Sequence, residues 1–343
     1  MAKIAVIGAG AWGTALAIAL ARGSAHQVTL WAYEKEVVES IRASHVNAVF
    51  LDGCLLPESL SATGSLAEAL SGAEFVLGVM PSHHARRLWS QMKPMLHPEM
   101  LLVSATKGIE NESLLRMTEV ITDVLTDGED GFQPRLCALS GPTFAREVAK
   151  GYPTAISVAS SDPKLSSQVQ ETFSDANFRL YRNDDVIGVE LGGSAKNVIA
   201  IAAGVVDGLG YGHNTVAGLI TRGLAEMTRL AVACGGHAET MAGLSGLGDL
   251  VLTCTGGLSR NRSVGVELGR GRNLEAIIAD MHGMVAEGVL TTSAAVGLGR
   301  SVGVELPIIE QMHAILQHGK EPSEAIRELM NRPLTQESAL YRN

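Results

Sequence analysis

No Cys-x-x-Cys pair occurs in this chain; its four cysteines, Cys54, Cys137, Cys234 and Cys254, are scattered through 343 residues. Zinc ribbons need paired thiols and small secreted scaffolds need dense ones, so neither a metal site nor a disulfide framework is indicated. The thiols read as buried groups in a reducing cytoplasm. Positive charge is scarce too: Lys and Arg number 27 against 36 acids, a formal net charge of -9. Binding along a phosphate backbone needs a broad basic face, so nucleic acid is not an expected partner, and an anionic metabolite must find a local basic pocket. Internal repeats, low-complexity tracts, charge blocks and Pro-rich linkers are missing, which suggests domains that pack closely. Outside residues 4–21 no apolar stretch reads as long enough to span a bilayer. That run follows Lys3 and carries no charge, as signal peptides do, but Gly8, Gly10 and Gly13 interrupt it where a strand would turn into a helix. A cytoplasmic protein without membrane insertion is expected.

What the chain does have is apolar residues, 46% against 18% charged, and 38 glycines, the balance of a compact globular enzyme. Its length exceeds the roughly 100–200 residues of a typical domain, so two domains and a cleft are expected. Residues 3–7, 27–32, 75–80, 101–105 and 136–140 are short, almost continuously apolar runs separated by helical patterns. Strands of that kind are buried on both faces, which predicts an α/β fold with a doubly wound, Rossmann-like parallel sheet. Runs at 154–159 and 178–181 extend the sheet. Near Asp185 the β signals stop. Beyond it the patterns 188–206, 217–234, 248–254 and 263–269, with shorter pieces after them, predict an all-α C-terminal domain. The expected division is residues 1–187 and residues 188–343.

Gly8-Ala9-Gly10-Ala11-Trp12-Gly13 follows the first strand and opens the first helix. There the GxGxxG spacing has a physical reading as a dinucleotide site. The first glycine permits a tight turn, the second lets backbone approach a pyrophosphate held by helix N–H groups, and Gly13 lets helix and strand pack closely. A glycine-rich turn of some other α/β protein is the alternative. After the second strand, Tyr33-Glu34-Lys35 stands where a plain acid would bind the ribose 2′-hydroxyl of NAD. Glu34 could serve NAD, Lys35 could tolerate the 2′-phosphate of NADP, and both could simply begin an exposed helix. NAD or NADP is the expected cofactor, with the choice between them left open.

Lys196 is the one charged residue between Leu191 and Val206. An ammonium in such surroundings loses hydration, and its pKa falls toward the range where it exchanges a proton with a substrate oxygen; the alternative is a lysine that snorkels to the surface. Asp249 and Thr253, four apart, share one face if their segment is helical. Ser259-Arg260-Asn261-Arg262 sets guanidinium and amide donors on a turn or helix start, suited to a phosphate dianion or to plain solvent. Lys107 in Ala105-Thr106-Lys107-Gly108 and the run Ser140-Gly141-Pro142-Thr143-Phe144 lie at the carboxyl ends of predicted strands, the edge where open α/β sheets bind ligands. His83 and His84 are adjacent and have no companion cluster, so no metal is assigned to them.

These segments together resemble the bacterial NAD(P)-dependent glycerol-3-phosphate dehydrogenases along nearly the whole chain. Residues 8–15, 105–108, 140–145, 196–200, 246–250 and 259–262 carry the resemblance, in register. It implies that residues 1–187 bind the dinucleotide and residues 188–343 bind substrate and perform catalysis. It also implies catalytic roles for Lys196, the proton donor and acceptor, and for Asn197, Asp249 and Thr253. Substrate contacts are implied for Lys107, Gly141, Thr143, Lys196, Asp249, Ser259, Arg260 and Asn261. Cofactor contacts are implied for Gly8, Gly10, Ala11, Trp12, Gly13, Tyr33, Lys107, Ala145, Arg260, Val285 and Glu287. Serine is frequent in the family where Ala11 and Thr143 stand, and histidine or phenylalanine where Tyr33 stands. The implied activity is reduction of dihydroxyacetone phosphate to sn-glycerol 3-phosphate for phospholipid synthesis by a cytoplasmic homodimer. Two rivals share the expected plan: a dehydrogenase of another substrate, such as a hydroxyacid, and a dinucleotide-binding redox sensor without turnover.

Overall fold

A computed structural model describes residues 1–22, 26–281, 284–334 and 336–337. The chain forms two compact units. One comprises Met1–Thr106 and Met117–Val186, the other Lys107–Arg116 and Ile187–Asn343. A single cut after residue 187 does not reproduce this, because a ten-residue excursion leaves the sheet unit and packs into the helical one. Residues 338–343, the end of the expected helical block, lie outside the described residues.

The sheet unit holds eight strands: β1 (Lys3–Ile7), β2 (Gln27–Trp31), β3 (Leu60–Thr63), β4 (Phe75–Gly78), β5 (Leu101–Ser104), β6 (Arg135–Ser140), β7 (Thr154–Ala159) and β8 (Phe178–Asn183). They pair in the order β3-β2-β1-β4-β5-β6-β7-β8. From β3 to β6 every pair is parallel. At its centre β4 and β5 are buried at every residue, as almost continuously apolar runs demand. β6 and β7 are antiparallel, whereas β7 and β8 are parallel. The expected extension of the sheet therefore reverses direction. Its cause is the connection: only the short helix Ala145–Ala149 lies between β6 and β7, while the eleven-residue Pro163–Phe173 helix carries the chain back from β7 to β8. Strand β3 has no counterpart in the sequence reading. Four residues with two hydroxyl side chains, Leu60-Ser61-Ala62-Thr63, give too little apolar signal.

The turn after β1 explains its glycines. Gly8 has φ +120°, and a Cβ on it would lie 2.8 Å from the Val79 carbonyl oxygen. A Cβ on Gly13 would lie 1.8 Å from the Gly8 carbonyl oxygen, whereas a Cβ on Gly10 would meet nothing within 4 Å. Gly8 and Gly13 serve packing; Gly10 keeps a space open.

In the helical unit, Val186–Gly208 is long and apolar enough to cross a membrane, but 89% of its apolar window is buried inside the protein. The sequence reading, which found no such second stretch, is corrected here, since the helix is a core element. It crosses the helix Arg260–Gly269 closely through two glycine pairs. A Cβ on Gly204 would lie 2.0 Å from the Arg262 carbonyl oxygen, and one on Gly265 would lie 2.0 Å from that of Ile201. Gly208 and Gly269 continue the contact one turn on. Around them Val198, Ile199, Ile201, Val264, Leu268 and Ile309 form the core. Buried in the same unit, the Glu226 carboxylate accepts N–H bonds from Ile308 and Ile309 at 2.8 and 3.2 Å. It serves as the first-turn acceptor of the helix Pro307–His318. The cysteines depart from expectation at one position: Cys54, Cys137 and Cys254 are buried, and Cys234 is half-buried.

Candidate active site

Lys196 lies in the middle of the Val186–Gly208 helix and is only 6% exposed. It does not snorkel. Its Nζ donates to Thr253 Oγ1 at 2.8 Å and lies 3.0 Å from Asp249 Oδ1. The other carboxylate oxygen, Oδ2, is 2.7 Å from Lys107 Nζ. Asp249 opens the helix Asp249–Thr255, so Thr253 falls one turn along the same face. Its hydroxyl lies 2.6 Å from the Asp249 carbonyl oxygen and 3.2 Å from Oδ1, to either of which it donates. That leaves its lone pairs for the Lys196 ammonium. A tight π turn, Leu244–Gly248, leads into this helix, and a Cβ on Gly246 would fall 2.1 Å from the Met241 carbonyl oxygen.

Burial pushes Lys196 down from 10.5 to about 8; Asp249 opposes the shift and Lys107 adds to it. Burial alone would raise the Asp249 carboxyl, but the two ammonium groups hold it below the usual carboxylate range. The neighbouring Cys254 thiol is pushed up to about 12, chiefly by burial, and stays neutral. Two cations and one anion leave the cluster with a surplus positive charge in a low-dielectric setting, suited to an anionic or developing-anion oxygen.

A second layer ties this cluster to the Ser259–Arg262 segment. Asn261 Nδ2 donates to Asn197 Oδ1 at 2.9 Å, and Asn261 Oδ1 accepts the Gly288 N–H at 2.9 Å. Close packing makes this possible, since a Cβ on Gly288 would lie 2.6 Å from the Asn197 carbonyl oxygen. Ser259 is buried and caps the Arg260–Gly269 helix by accepting the Arg262 N–H at 3.2 Å. Arg260 starts that helix and is exposed. Glu287 is the first residue of the helix Glu287–Ser301 and acts electrostatically on Arg260; Val285 is half-buried just before it.

The excursion 107–116 reaches this unit through three anchors. Ser194 Oγ lies 2.7 Å from the Glu190 carbonyl and 3.2 Å from the Gly108 carbonyl, to either of which it donates, Arg116 pairs with Glu190 at 2.6 Å, and Lys107 holds Asp249. The sequence reading missed Glu190, Ser194 and Arg116. Glu190 was visible as an acid in an otherwise apolar helix, but its partner is 74 residues away.

In the sheet unit, Gly8, Gly10, Ala11, Trp12 and Gly13 gather at the β1 turn. The helix Ala11–Ala21 has no side-chain N-cap and no acid in its first turn, so its leading N–H groups face outward as donors. The Trp12 indole N–H is buried without an acceptor among the described residues. An open space at Gly10, uncapped N–H groups and an orphaned donor fit a dinucleotide diphosphate. Ala145 packs at the edge of the same core as Ala11 and Trp12. Tyr33 is 75% exposed with its ring 6.5 Å from that of Trp31. After β6, Gly141 has φ +152° and its carbonyl accepts the Thr143 hydroxyl at 3.0 Å. His83 and His84 lie in the turn Ser82–His84 with ring centroids 3.9 Å apart; burial and then adjacent positive charge lower both imidazoles.

Comparison with known proteins bears on this arrangement. Residues 3–166 match the family profile described as NAD-dependent glycerol-3-phosphate dehydrogenase N-terminus, and residues 185–327 match the one described as its C-terminus. The chain belongs to the NAD-dependent glycerol-3-phosphate dehydrogenase family. It is 66% identical over 337 residues to glycerol-3-phosphate dehydrogenase [NAD(P)+] of Koribacter versatilis (strain Ellin345), covering 98% of this chain and 99% of that one. The enzyme of the same name from Acidobacterium capsulatum is 55% identical, with 97% and 99% covered. Among solved structures, glycerol-3-phosphate dehydrogenase from Coxiella burnetii superposes with a TM-score of 0.90 at 42% identity, covering 96% of this chain and 99% of that one. The family match spans both units, so the sheet and the buried lysine cluster belong to one oxidoreductase scaffold.

Proposed function

We propose that the chain catalyses the reversible NAD(P)-dependent reduction of dihydroxyacetone phosphate to sn-glycerol 3-phosphate, with Lys196 as general acid and base. The observation that carries the reading is the buried Lys196–Asp249–Lys107 cluster, in which an ammonium is held near neutrality and aimed by a carboxylate and a hydroxyl. The chemistry a bound reduced nicotinamide supplies is hydride for the carbonyl carbon. Lys196 Nζ donates its proton to the carbonyl oxygen as negative charge grows there, and in the reverse direction the neutral amine takes the hydroxyl proton. Asp249 and Thr253 orient that nitrogen, Lys107 adds positive charge, and Asn197 fixes Asn261 through the amide pair. Ser259, Arg260 and Asn261, with Gly141 and Thr143, are assigned to the glycerol phosphate moiety. Cofactor contacts are assigned to Gly8, Gly10, Ala11, Trp12, Gly13, Tyr33 and Ala145, and to Lys107, Arg260, Val285 and Glu287. Family membership supports the substrate class and the use of NAD or NADP. We also assign the protein to the cytoplasm, as a homodimer that supplies glycerol 3-phosphate to phospholipid synthesis; sedimentation should return a mass near twice 36.0 kDa.

The test is an absorbance assay with dihydroxyacetone phosphate, run separately with NADH and NADPH and repeated with unphosphorylated dihydroxyacetone. Turnover should require the phosphate. Arg260→Ala should narrow the preference for the phosphorylated ketone about tenfold or more, the worth of a charge-assisted pair of about 1.5–3 kcal/mol. A chain that binds nucleotide without turnover, or an Arg260 variant with undiminished phosphate preference, contradicts the reading.

A further inference from the structure

We propose that Asn47 is a positioning residue of the dinucleotide site, acting by turning one peptide of the β1 loop. This rests on the dinucleotide reading of Gly8–Gly13. Asn47 lies between the Lys35–Ser44 helix and β3, in a stretch that no motif singles out, and is fully buried. Its Nδ2 donates to the Ala9 carbonyl and to Thr14 Oγ1, both at 2.8 Å, and its Oδ1 accepts the Phe50 N–H at 3.0 Å. Thr14, also fully buried, sends its own hydroxyl to the Ala9 carbonyl at 3.2 Å. Two side chains thus converge on the carbonyl at the tip of the glycine loop. Every hydrogen-bonding atom of the Asn47 amide is used.

The consequence follows from peptide geometry. None of the peptide bonds described is cis, and in a planar trans peptide the C=O and N–H point in opposite directions. Holding the Ala9 carbonyl inward on Asn47 and Thr14 therefore turns the Gly10 N–H outward. Within this loop Gly10, unlike Gly8 and Gly13, is a residue at which a Cβ would meet nothing within 4 Å. The space kept open by the missing side chain is faced by a donor whose direction Asn47 sets, ahead of the uncapped N–H groups of Ala11–Ala21. Without Asn47 the Ala9 peptide loses the acceptor-side restraint that opposes its rotation, and the loop must pay for ordering when an anion binds.

The experiment measures nucleotide binding on the full-length chain by NADH and NADPH fluorescence titration, with displacement by ADP and by adenosine. Asn47→Ser should raise the Kd of the reduced cofactor and of ADP by about tenfold or more, the equivalent of one lost hydrogen bond of about 1.4 kcal/mol. Adenosine, which lacks the diphosphate, should show the same inhibition constant on both proteins once the change in cofactor Kd is allowed for. At saturating cofactor, kcat and the KM for dihydroxyacetone phosphate should stay within about threefold. Asn47→Asp adds a signature that loss of packing does not give. Its carboxylate repels the Ala9 carbonyl at neutral pH, and its protonated form donates one bond, so cofactor affinity should recover as pH falls while the wild type shows no such recovery. Should Asn47→Ser fail to fold, Thr14→Val, which removes one of the two donors to Ala9, should raise the same Kd. Unchanged ADP affinity in a folded variant overturns the inference. Failure of the wild type to bind either cofactor overturns the dinucleotide reading, and this inference with it.

Discussion

At the scale of single residues, the deciding feature is how Lys196 is charged. Burial lowers its pKa to about 8, Asp249 raises it and Lys107 lowers it, so its protonation changes within the range where the enzyme is assayed. Under the proposed mechanism reduction needs the ammonium, and its kcat should be flat below about pH 8 and fall above it; oxidation of glycerol 3-phosphate would need the amine and should rise through the same pH. The neighbours give the prediction its sign. Lys107→Met removes a repelling charge and should move the break upward, whereas Asp249→Asn removes the attracting one and should move it downward. Lys196→Met should lose about 10²- to 10⁴-fold in kcat with cofactor affinity nearly kept. Stopped-flow rates across pH 6 to 10, or roughly the range in which a perturbed lysine titrates, check all three; breaks that do not move in opposite directions would remove Lys196 as the proton donor. Lys196 was legible in the sequence because a lone charge in an apolar helix is a local signal. Asp249 and Thr253 were legible through their four-residue spacing. Asn47 and Glu190 were not, because what gives them meaning lies 38 and 74 residues away, and neither a lone asparagine nor a lone acid announces its partner.

Among elements, the crossing of the helices Val186–Gly208 and Arg260–Gly269 brings Asn197 and Asn261 within hydrogen-bonding distance. Its four glycines form an interface where backbone meets backbone, with hypothetical Cβ distances of 2.0 to 2.5 Å. Gly265→Ala should therefore cost about 1–3 kcal/mol or more, as overpacking does. Activity should fall with it, since a shift of this helix moves Asn261 off Asn197. Gly218 is the control with the opposite sign. It sits in the exposed part of the helix His213–Ala233 with nothing within 4 Å of a Cβ, so Gly218→Ala should gain up to about 1 kcal/mol from helix propensity. Thermal unfolding by circular dichroism separates them: a stable Gly265→Ala variant would show that the two helices are held apart by other contacts. Helix existence could be read from apolar periodicity, but this crossing could not, because a glycine at a helix–helix contact looks the same in sequence as Gly218. The sheet followed the same logic. Strands β1, β2 and β4 to β6 announced themselves through uninterrupted apolar runs, β3 was too short and too polar to do so, and the reversal at β7 was set by a connection whose helix is only five residues long.

At the scale of the whole molecule, the chain is two units but not two consecutive pieces. Residues 107–116 leave the sheet unit and are counted with the helices, and they carry charge into that unit at two points: Lys107 onto Asp249 and Arg116 onto Glu190, both carboxylates nearly buried. They also bring Ile109 into the helical core, with Leu114 against it. A helical fragment made by one cut, residues 187–343, keeps both acids and loses Lys107 and Arg116, although Asp249 retains Lys196 at 3.0 Å. Breaking a buried pair by removing one partner costs about 3–5 kcal/mol, a large share of the 5–15 kcal/mol that usually stabilises a domain. The expected result is that this fragment has helical circular dichroism but a broad, low-temperature transition. Lowering the pH toward the carboxylate range should partly restore it, because protonation removes the Glu190 charge that Arg116 balances in the intact chain, while Asp249 keeps Lys196 beside it. Mutating Glu190→Gln in the fragment should sharpen the transition at neutral pH, although in the intact chain the same change destabilises the protein by removing the carboxylate that faces Arg116. A wild-type fragment that unfolds sharply at the temperature of the intact chain would mean that the excursion is accessory to the helical unit. The sequence offered no way to see this, since a ten-residue detour between β5 and the next helix has the composition of an ordinary loop, and only its destination distinguishes it.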